Sequence, residues 1–435
     1  MNQVQSPQPV TFSLVTRLVV FTIGIAFTLL EVGLLFILLA STAMTGTQEG
    51  LAQIYPLLNV LSMTIIVGIL FIPGFFICIQ ELFHLKPILR LPNISNRMVL
   101  PNLLLLGWLF LMGGVYLLLQ NFDAAQWLLP LLQVPAILIP IFWLYRISTR
   151  NLHNEKGQRS WTLLGLNLGL QPIIVILIEL GLLLVIGVGA GIYLSTQPQL
   201  LEELTHQFEQ LTLSNFDPQL LETMAGEYVT RPLVVFVTLF YIAGLVPLIE
   251  ELIKPFLVWR WLKKPLSPSQ GFLIGLIGGS AFALWENLSA LNNIAAGSWF
   301  FVVIARYGTS ILHMATAALM GWALMCSFNN RKILRSVAVY FSVVLIHGAW
   351  NFFTLIQALA VYNTEPRQFP LNLAPLAPYM MVGIVLFCLA VLLVGSSLIY
   401  NIDTRKTVFM AELLDQQNPN QTPAEYELPF PQQQK

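Results

Sequence analysis

Charge is scarce in this sequence of 435 residues: only 10% are Asp, Glu, Lys or Arg, against about 25% in an ordinary soluble chain. With 56% hydrophobic residues there is too little polar side chain to cover a soluble surface. That rules out the two or three soluble domains the length alone would suggest. An excess of either sign is also lacking, since 21 Lys and Arg meet 21 Asp and Glu. The chain therefore carries no basic footprint for nucleic acid, and no acidic surplus of the kind that keeps chains unfolded. Cysteine is rare as well. Cys78, Cys326 and Cys388 each sit inside an apolar run, without the spacing of a disulfide framework or a metal finger, and read as small core residues. No repeat of about 20 to 50 residues recurs along the chain.

What is abundant is long apolar sequence, and the mean hydropathy of +0.74 points to a membrane. A bilayer core of about 30 Å takes about 20 residues of helix. That ruler predicts ten spans, near 18–41, 57–79, 102–120, 126–145, 172–194, 233–258, 271–291, 304–327, 336–358 and 378–400. The expected fold is all-α, a polytopic integral membrane helix bundle. The first span is too long for the apolar region of a signal peptide and reads as an uncleaved helix. Lys and Arg in short loops stay cytoplasmic. Arg17 and the basic residues of 86–97, 146–159, 260–264, 331–335 and 405–435 fall on one side of such a bundle, with Arg231 and Arg367 on the other. Both termini are thus expected in the cytoplasm.

The organisation that follows is a cytoplasmic segment 1–17, five helices in 18–194 with no evident role, an outer acidic loop 195–231, a second membrane domain 232–400 and a tail 401–435. The outer loop carries Leu200, Leu201, Leu204, Phe208 and Leu211 at helical spacing, which predicts an amphipathic helix, either a connector resting on the bundle or a lid. The tail, rich in Gln, Asn and Pro, cannot bury a core and is expected to be disordered.

Ionisable side chains inside hydrocarbon cost about 2.5 to 3.5 kcal/mol on insertion scales, so each asks for a partner or a task. The first five spans hold only Glu31 and Glu179, whereas the sixth to ninth hold Glu250, Glu251, Lys254, Glu286, Arg306, His313 and His347. Such a set on four successive helices is tolerable where the groups converge on a polar cavity. Glu250, Glu251 and Lys254 at i, i+1 and i+4 let the lysine reach either carboxylate, and His347 shares a face with Asn351 at i, i+4. The adjacent glutamates cannot point the same way. Counting about 1.5 Å per residue puts Glu251 and His347 near the midplane, with His313 and Glu286 one or two turns nearer the outer face. Kinks are expected at Pro247 and Pro255.

A carboxylate base, two histidines and an asparagine amide are parts for activating water and stabilising an oxyanion. Two histidines with one or two glutamates are equally a zinc set. Other intramembrane hydrolytic arrangements are missing: no HExxH occurs, and no aspartate falls in any predicted span. Ser280, within Gly278-Gly279-Ser280-Ala281, suits small-residue helix packing better than nucleophilic catalysis.

Glu250-Glu251-Leu252-Ile253-Lys254, Phe282-Ala283-Leu284-Trp285-Glu286-Asn287, His313, and His347-Gly348-Ala349-Trp350-Asn351 resemble the four ordered motifs of the PrsW family of intramembrane proteases, relatives of the CAAX-processing and bacteriocin-processing membrane proteases. The resemblance covers about 232–360 and leaves 1–230 aside. It implies an endopeptidase that cuts membrane-protein substrates in or beside the bilayer, with an anti-sigma factor as the best-known kind of target and the bacterial plasma membrane as the setting. On it, Glu250, Glu251, His313, His347 and Asn351 match the catalytic positions, one glutamate serving as general base. Lys254 would hold its partner ionised, and Glu286, Asn287 and Arg306 would support, Glu286 by orienting His313 or pairing with Arg306. Two roles for the histidines stay open: ligands, with Glu251, to a metal such as Zn2+, or groups that polarise the scissile carbonyl. A CAAX-type or bacteriocin-type peptidase is the nearest alternative. An ion-coupled transporter of two five-helix repeats would need matching polar residues in both halves, and a silent membrane scaffold would not need all four motifs.

Overall fold

The computed structural model describes residues 13–45, 48–85, 98–150, 152, 157–215, 217–260, 266–291, 296–330, 332–362, 368–399 and 401–402. The basic residues of 86–97, Lys156, Lys263, Lys264, Arg331 and Arg367 lie outside them, as does nearly all of the tail. Among the described residues there is helix and no strand. The helices are α1 (Leu14–Thr45), α2 (Gln48–Leu82), α3 (Val99–Asn121), α4 (Leu129–Thr149), α5 (Gly157–Ser195), α6 (Pro198–Leu213), α7 (Pro218–Val229), α8 (Pro232–Leu239), α9 (Val246–Ile253), α10 (Phe256–Trp259), α11 (Pro268–Ala290), α12 (Ala296–Asn330), α13 (Ile333–Leu359) and α14 (Ala377–Ala390). Among the described residues ten segments are long and apolar enough to cross a bilayer, and the ten predicted runs correspond to them in order. The protein is a polytopic all-α membrane protein.

Local chemistry explains where helices start and stop. Pro198, Pro218, Pro232 and Pro268 each open a helix, at the position where a missing N–H is harmless. Ser267 and Gln270 form a reciprocal capping box at the start of α11, satisfying two donors that the first turn leaves over. The sixth span ends at Ile253 instead of continuing to 258, because Pro255 cannot donate to the preceding turn. The chain turns at Lys254 and Pro255 and resumes as the short α10.

By packing, the chain falls into two compact units: residues 1–170, 254–339 and 388–435 in the first, and 171–253 with 340–387 in the second. Within the first unit, α11 and α12 are almost wholly enclosed while α1 is largely exposed. The α11–α12 pair is built on a seam of small residues. Gly271, Gly275 and Gly279 follow one another at four-residue spacing, and a Cβ on Gly275 would lie 2.1 Å from the Ala317 carbonyl oxygen. One on Gly279 would lie 2.4 Å from the His313 carbonyl oxygen, and one on Gly321 2.2 Å from that of Gly271. Such backbone contact is how helices associate in lipid, where no hydrophobic force draws them together. The seam also sets an antiparallel register, with Gly271 opposite Gly321, Gly275 opposite Ala317 and Gly279 opposite His313. Continued by seven residues, the same register brings Glu286 opposite Arg306.

In the second unit, Val235, Ile356 and Leu371 form a buried apolar cluster against which Leu239, Phe352 and Phe353 pack. The outer loop is a pair of helices, α6 and α7. Of its five apolar residues at helical spacing, Leu211 is buried while Leu201 and Phe208 stay exposed. Polar contacts join the pair. Tyr228 Oη donates to Glu203 Oε1 at 2.7 Å and Arg231 donates to the same oxygen at 3.1 Å. Those two bonds, the tyrosine's first, hold the Glu203 carboxyl below its usual range.

Two expectations follow. Gly275→Ala should lower the thermal-unfolding midpoint of the detergent-solubilised protein, by the equivalent of about 1–3 kcal/mol of overpacking, while Gly107→Ala, with nothing within 4 Å of its Cβ, should leave it unchanged. Because the Glu203 pKa is lowered by folding, its contribution is present above the ordinary carboxylate range and disappears as pH falls through the folded value. Amide-exchange protection of α6 and α7 should therefore drop on acidification, and Glu203→Gln should remove that dependence.

Candidate functional site

The sixth span is irregular just before the glutamate pair. Residues Phe240–Leu245 are π-helical, with Val246 N–H bonded to the Tyr241 carbonyl. Pro247 has no N–H, so it gives nothing to Ile242 or Ala243, its π- and α-helical partners. Helix α13 supplies what is missing. Asn351 Nδ2 donates to the Ile242 carbonyl at 2.9 Å, and Gly348 comes so near the Ala243 carbonyl that a Cβ would sit 2.4 Å from its oxygen. One residue past Pro247, the Leu248 carbonyl accepts from Tyr340 Oη at 2.7 Å. Tyr340, His347, Gly348 and Asn351 lie on one face of α13, which is clamped along the kinked span by these contacts. Asn351 thus has a holding task through its amide nitrogen, in a place where the sequence pointed to an oxyanion donor.

That clamp places His347 against both glutamates. His347 Nδ1 is 2.8 Å from Glu251 Oε1, and its Nε2 is 3.8 Å from Glu250 Oε2. The two adjacent carboxylates diverge, as neighbours on a helix must, and they do so around a single imidazole. Glu250, Glu251 and His347 are all buried.

The first unit holds a second set. Lys254 is fully buried, with Nζ 2.7 Å from His313 Nδ1 and 4.8 Å from the centre of the Phe282 ring. The other nitrogen of His313, Nε2, is hydrogen-bonded to Glu286 Oε2. Arg306 then grips Glu286, Nη1 donating to Oε1 at 3.1 Å with Nη2 2.9 Å from Oε2, while its Nε donates to Asn287 Oδ1 at 2.8 Å. Asn287 Nδ2 donates in turn to Ser310 Oγ at 2.8 Å. Glu286 accordingly contacts both His313 and Arg306, the two partners considered for it. The offset of one or two turns counted along straight helices does not keep His313 from Lys254, because the chain turns at Lys254–Pro255 and leaves the axis on which the count was made.

The proton positions follow from what each partner can do. An ammonium only donates, so His313 Nδ1 accepts and its proton sits on Nε2, toward Glu286. A carboxylate only accepts, so Nδ1 of His347 carries the proton toward Glu251. Each histidine is therefore backed by a glutamate on one nitrogen and presents a lone pair on the other, the arrangement found for imidazoles that ligate metals. His347 Nε2 presents its lone pair beside the Glu250 carboxylate. His313 Nδ1 presents its lone pair to a cation, here the Lys254 ammonium. This donor chemistry fits a divalent metal.

Phe282, the first residue of the second motif, has its ring 5.1 Å from that of His313, and two residues with tasks at the site were not singled out from sequence: Tyr340 and Ser310. Tyr340 had a signal, being seven residues before His347 on the same helical face. Ser310, four residues after Arg306, had the same kind of signal.

No curated protein and no solved structure matches the chain. Residues 216–392 match the model of the PrsW family intramembrane metalloprotease. That stretch contains every motif from Glu250 to Asn351, so over this part, from the outer loop to the last span, the chain is similar to the PrsW family.

Proposed function

We propose that the protein is an endopeptidase that hydrolyses peptide bonds of membrane-protein substrates within the bilayer, with Glu250, Glu251, His313 and His347 as the reacting constellation. The observation that carries this reading is the pair of carboxylate-backed histidines, His347 on Glu251 and His313 on Glu286. A packing histidine needs no such arrangement, and an ion-coupled transporter would need its counterpart in the first half of the chain, where no predicted span holds a histidine. A metal such as Zn2+ would be held by histidine and glutamate side chains of this set. When bound, it polarises the scissile carbonyl and brings its water to a pKa near neutrality.

The chain's own residues supply the rest. Glu251 and Glu286 fix the ring orientations of the histidines. Glu250 is the carboxylate at the reacting side, and Glu251 is taken up with holding His347. Lys254, whose ammonium lies 2.7 Å from His313 Nδ1, would stabilise developing oxyanion charge. Asn351 and Tyr340 act as positioning residues through the backbone of the kinked span. One observation favours a metal-free second reading, in which Glu250 is general base and Lys254 keeps the His313 lone pair: the lysine lies 2.7 Å from that nitrogen. We further propose, on the family resemblance, that the setting is a bacterial plasma membrane and an anti-sigma factor the kind of substrate cut, and, from the placement of Lys and Arg, that both termini are cytoplasmic.

Quantitative membrane proteomics of cells expressing wild-type or Glu250→Gln protein should reveal membrane proteins that remain full length only with the variant, at equal amounts of inserted protease. Identical profiles would overturn the protease reading. The purified full-length protein should hold about one zinc, lost in His347→Ala, and Glu251→Gln or Glu286→Gln should weaken zinc affinity by about 10- to 100-fold. A metal-free preparation that still cuts would select the general-base form.

A further inference from the structure

Helices α3 and α4 lie outside the matched stretch, yet both pack on α12 or its polar network inside the first unit. Trp108 of α3 is buried, and its ring centre lies 5.5 Å from that of Tyr307 on α12. Two turns along α3, Tyr116 meets Phe300, about two turns back on α12, at 4.9 Å. These two aromatic rungs run antiparallel and set where α12 stands along its axis. The Trp108 indole also reaches α4. Its Nε1 donates to the Ala136 carbonyl at 3.0 Å, the carbonyl that Pro140 leaves without a helical donor. In lipid that acceptor has no water to turn to, so the bond ties α3 firmly to α4 one turn before Pro140. From there α4 runs past the polar network: Ala136, Ile137 and Pro140 line one side of a small cleft whose other side includes Asn287, Arg306 and Ser310.

Tyr307 is the residue next to Arg306. Whatever holds Tyr307 therefore sets the reach of the guanidinium that grips Glu286, and through Glu286 the ring of His313. We infer that Trp108 is a positioning residue for the Arg306–Glu286–His313 relay, and that α3 and α4 serve as the brace that keeps the relay in register. The inference rests on the protease reading in one respect: the relay matters to turnover because His313 must present Nδ1. Shifts of about 1 Å remote from the reacting atoms can lower turnover by about 100-fold, so a brace of this kind is mechanistically sufficient.

The test uses the full-length protein in detergent with ring-15N-labelled histidine, the His313 signals being assigned from their absence in His313→Gln. Trp108→Ala should move the His313 ring resonances and lower kcat on fluorescein-labelled casein by about 10- to 100-fold with KM little changed. Trp108→Phe keeps a ring against Tyr307 and should restore both toward wild type. Trp127→Ala removes an indole of equal size from an exposed site and should change neither. Should Trp108→Ala fail to assemble, Tyr307→Leu removes the same contact from the α12 side and should move the same signals. Ring resonances that stay in place in an assembled Trp108→Ala or Tyr307→Leu protein would overturn the proposal, leaving Trp108 as packing alone. Resonances that move as far in Trp108→Phe as in Trp108→Ala would overturn the ring contact as the link. If the resonances move but Glu250→Gln cuts casein as fast as wild type, the brace stands and it is the protease reading that fails.

Discussion

A backbone carbonyl or a carboxylate inside a bilayer has no water to fall back on, and the site is organised by how this chain meets that constraint. Two prolines in spanning helices, Pro140 and Pro247, each withdraw a donor from a carbonyl one turn earlier. In each case the vacancy is filled from another helix: Trp108 serves Ala136, and Asn351 serves Ile242. The repair bonds are what join helices to one another. A proline that would be a defect in isolation becomes the point at which α13 is clamped to the glutamate-bearing span, and the point at which α3 is tied to α4.

The same constraint accounts for the charges. Seven ionisable groups on four spans would be prohibitive one by one, yet each is engaged. Glu286 is shared by Arg306 and His313, Lys254 faces His313, and Glu250 and Glu251 flank His347. Partnership of this kind both offsets desolvation and selects a single tautomer for each imidazole. Tautomer selection is what turns a stabilising ion network into a candidate reaction centre, because a histidine with one nitrogen committed has its other lone pair aimed. The glycine seam of α11 and α12 makes that precision possible, since backbone-to-backbone contact leaves little freedom to slide and carries the register on to Glu286 and Arg306.

Some of this was legible before any coordinates. Ten spans, an all-helical bundle and the concentration of charge in the second half follow from composition and a count of apolar residues, because burial in lipid is a one-dimensional property of a segment. The four motifs from Glu250 to Asn351, and the family they resemble, are likewise visible in order along the chain. Helix starts at Pro198, Pro218, Pro232 and Pro268 are local chemistry that needs no partner.

Tertiary structure decided the assignments that depend on which helix faces which. Spacing alone allowed Lys254 to pair with either glutamate, and it could not show that His313 stands beside its ammonium. It presented Asn351 as a candidate for catalysis and could not show that its amide nitrogen answers a carbonyl freed by Pro247 more than one hundred residues away in the sequence. Nor could it give the first five helices a task, because Trp108 is unremarkable in an apolar run until its neighbours across the helix interface are known. Helical periodicity tells which residues share a face, but the identity of the partner behind that face is fixed by packing between segments distant in the chain, and no periodicity within one segment contains it.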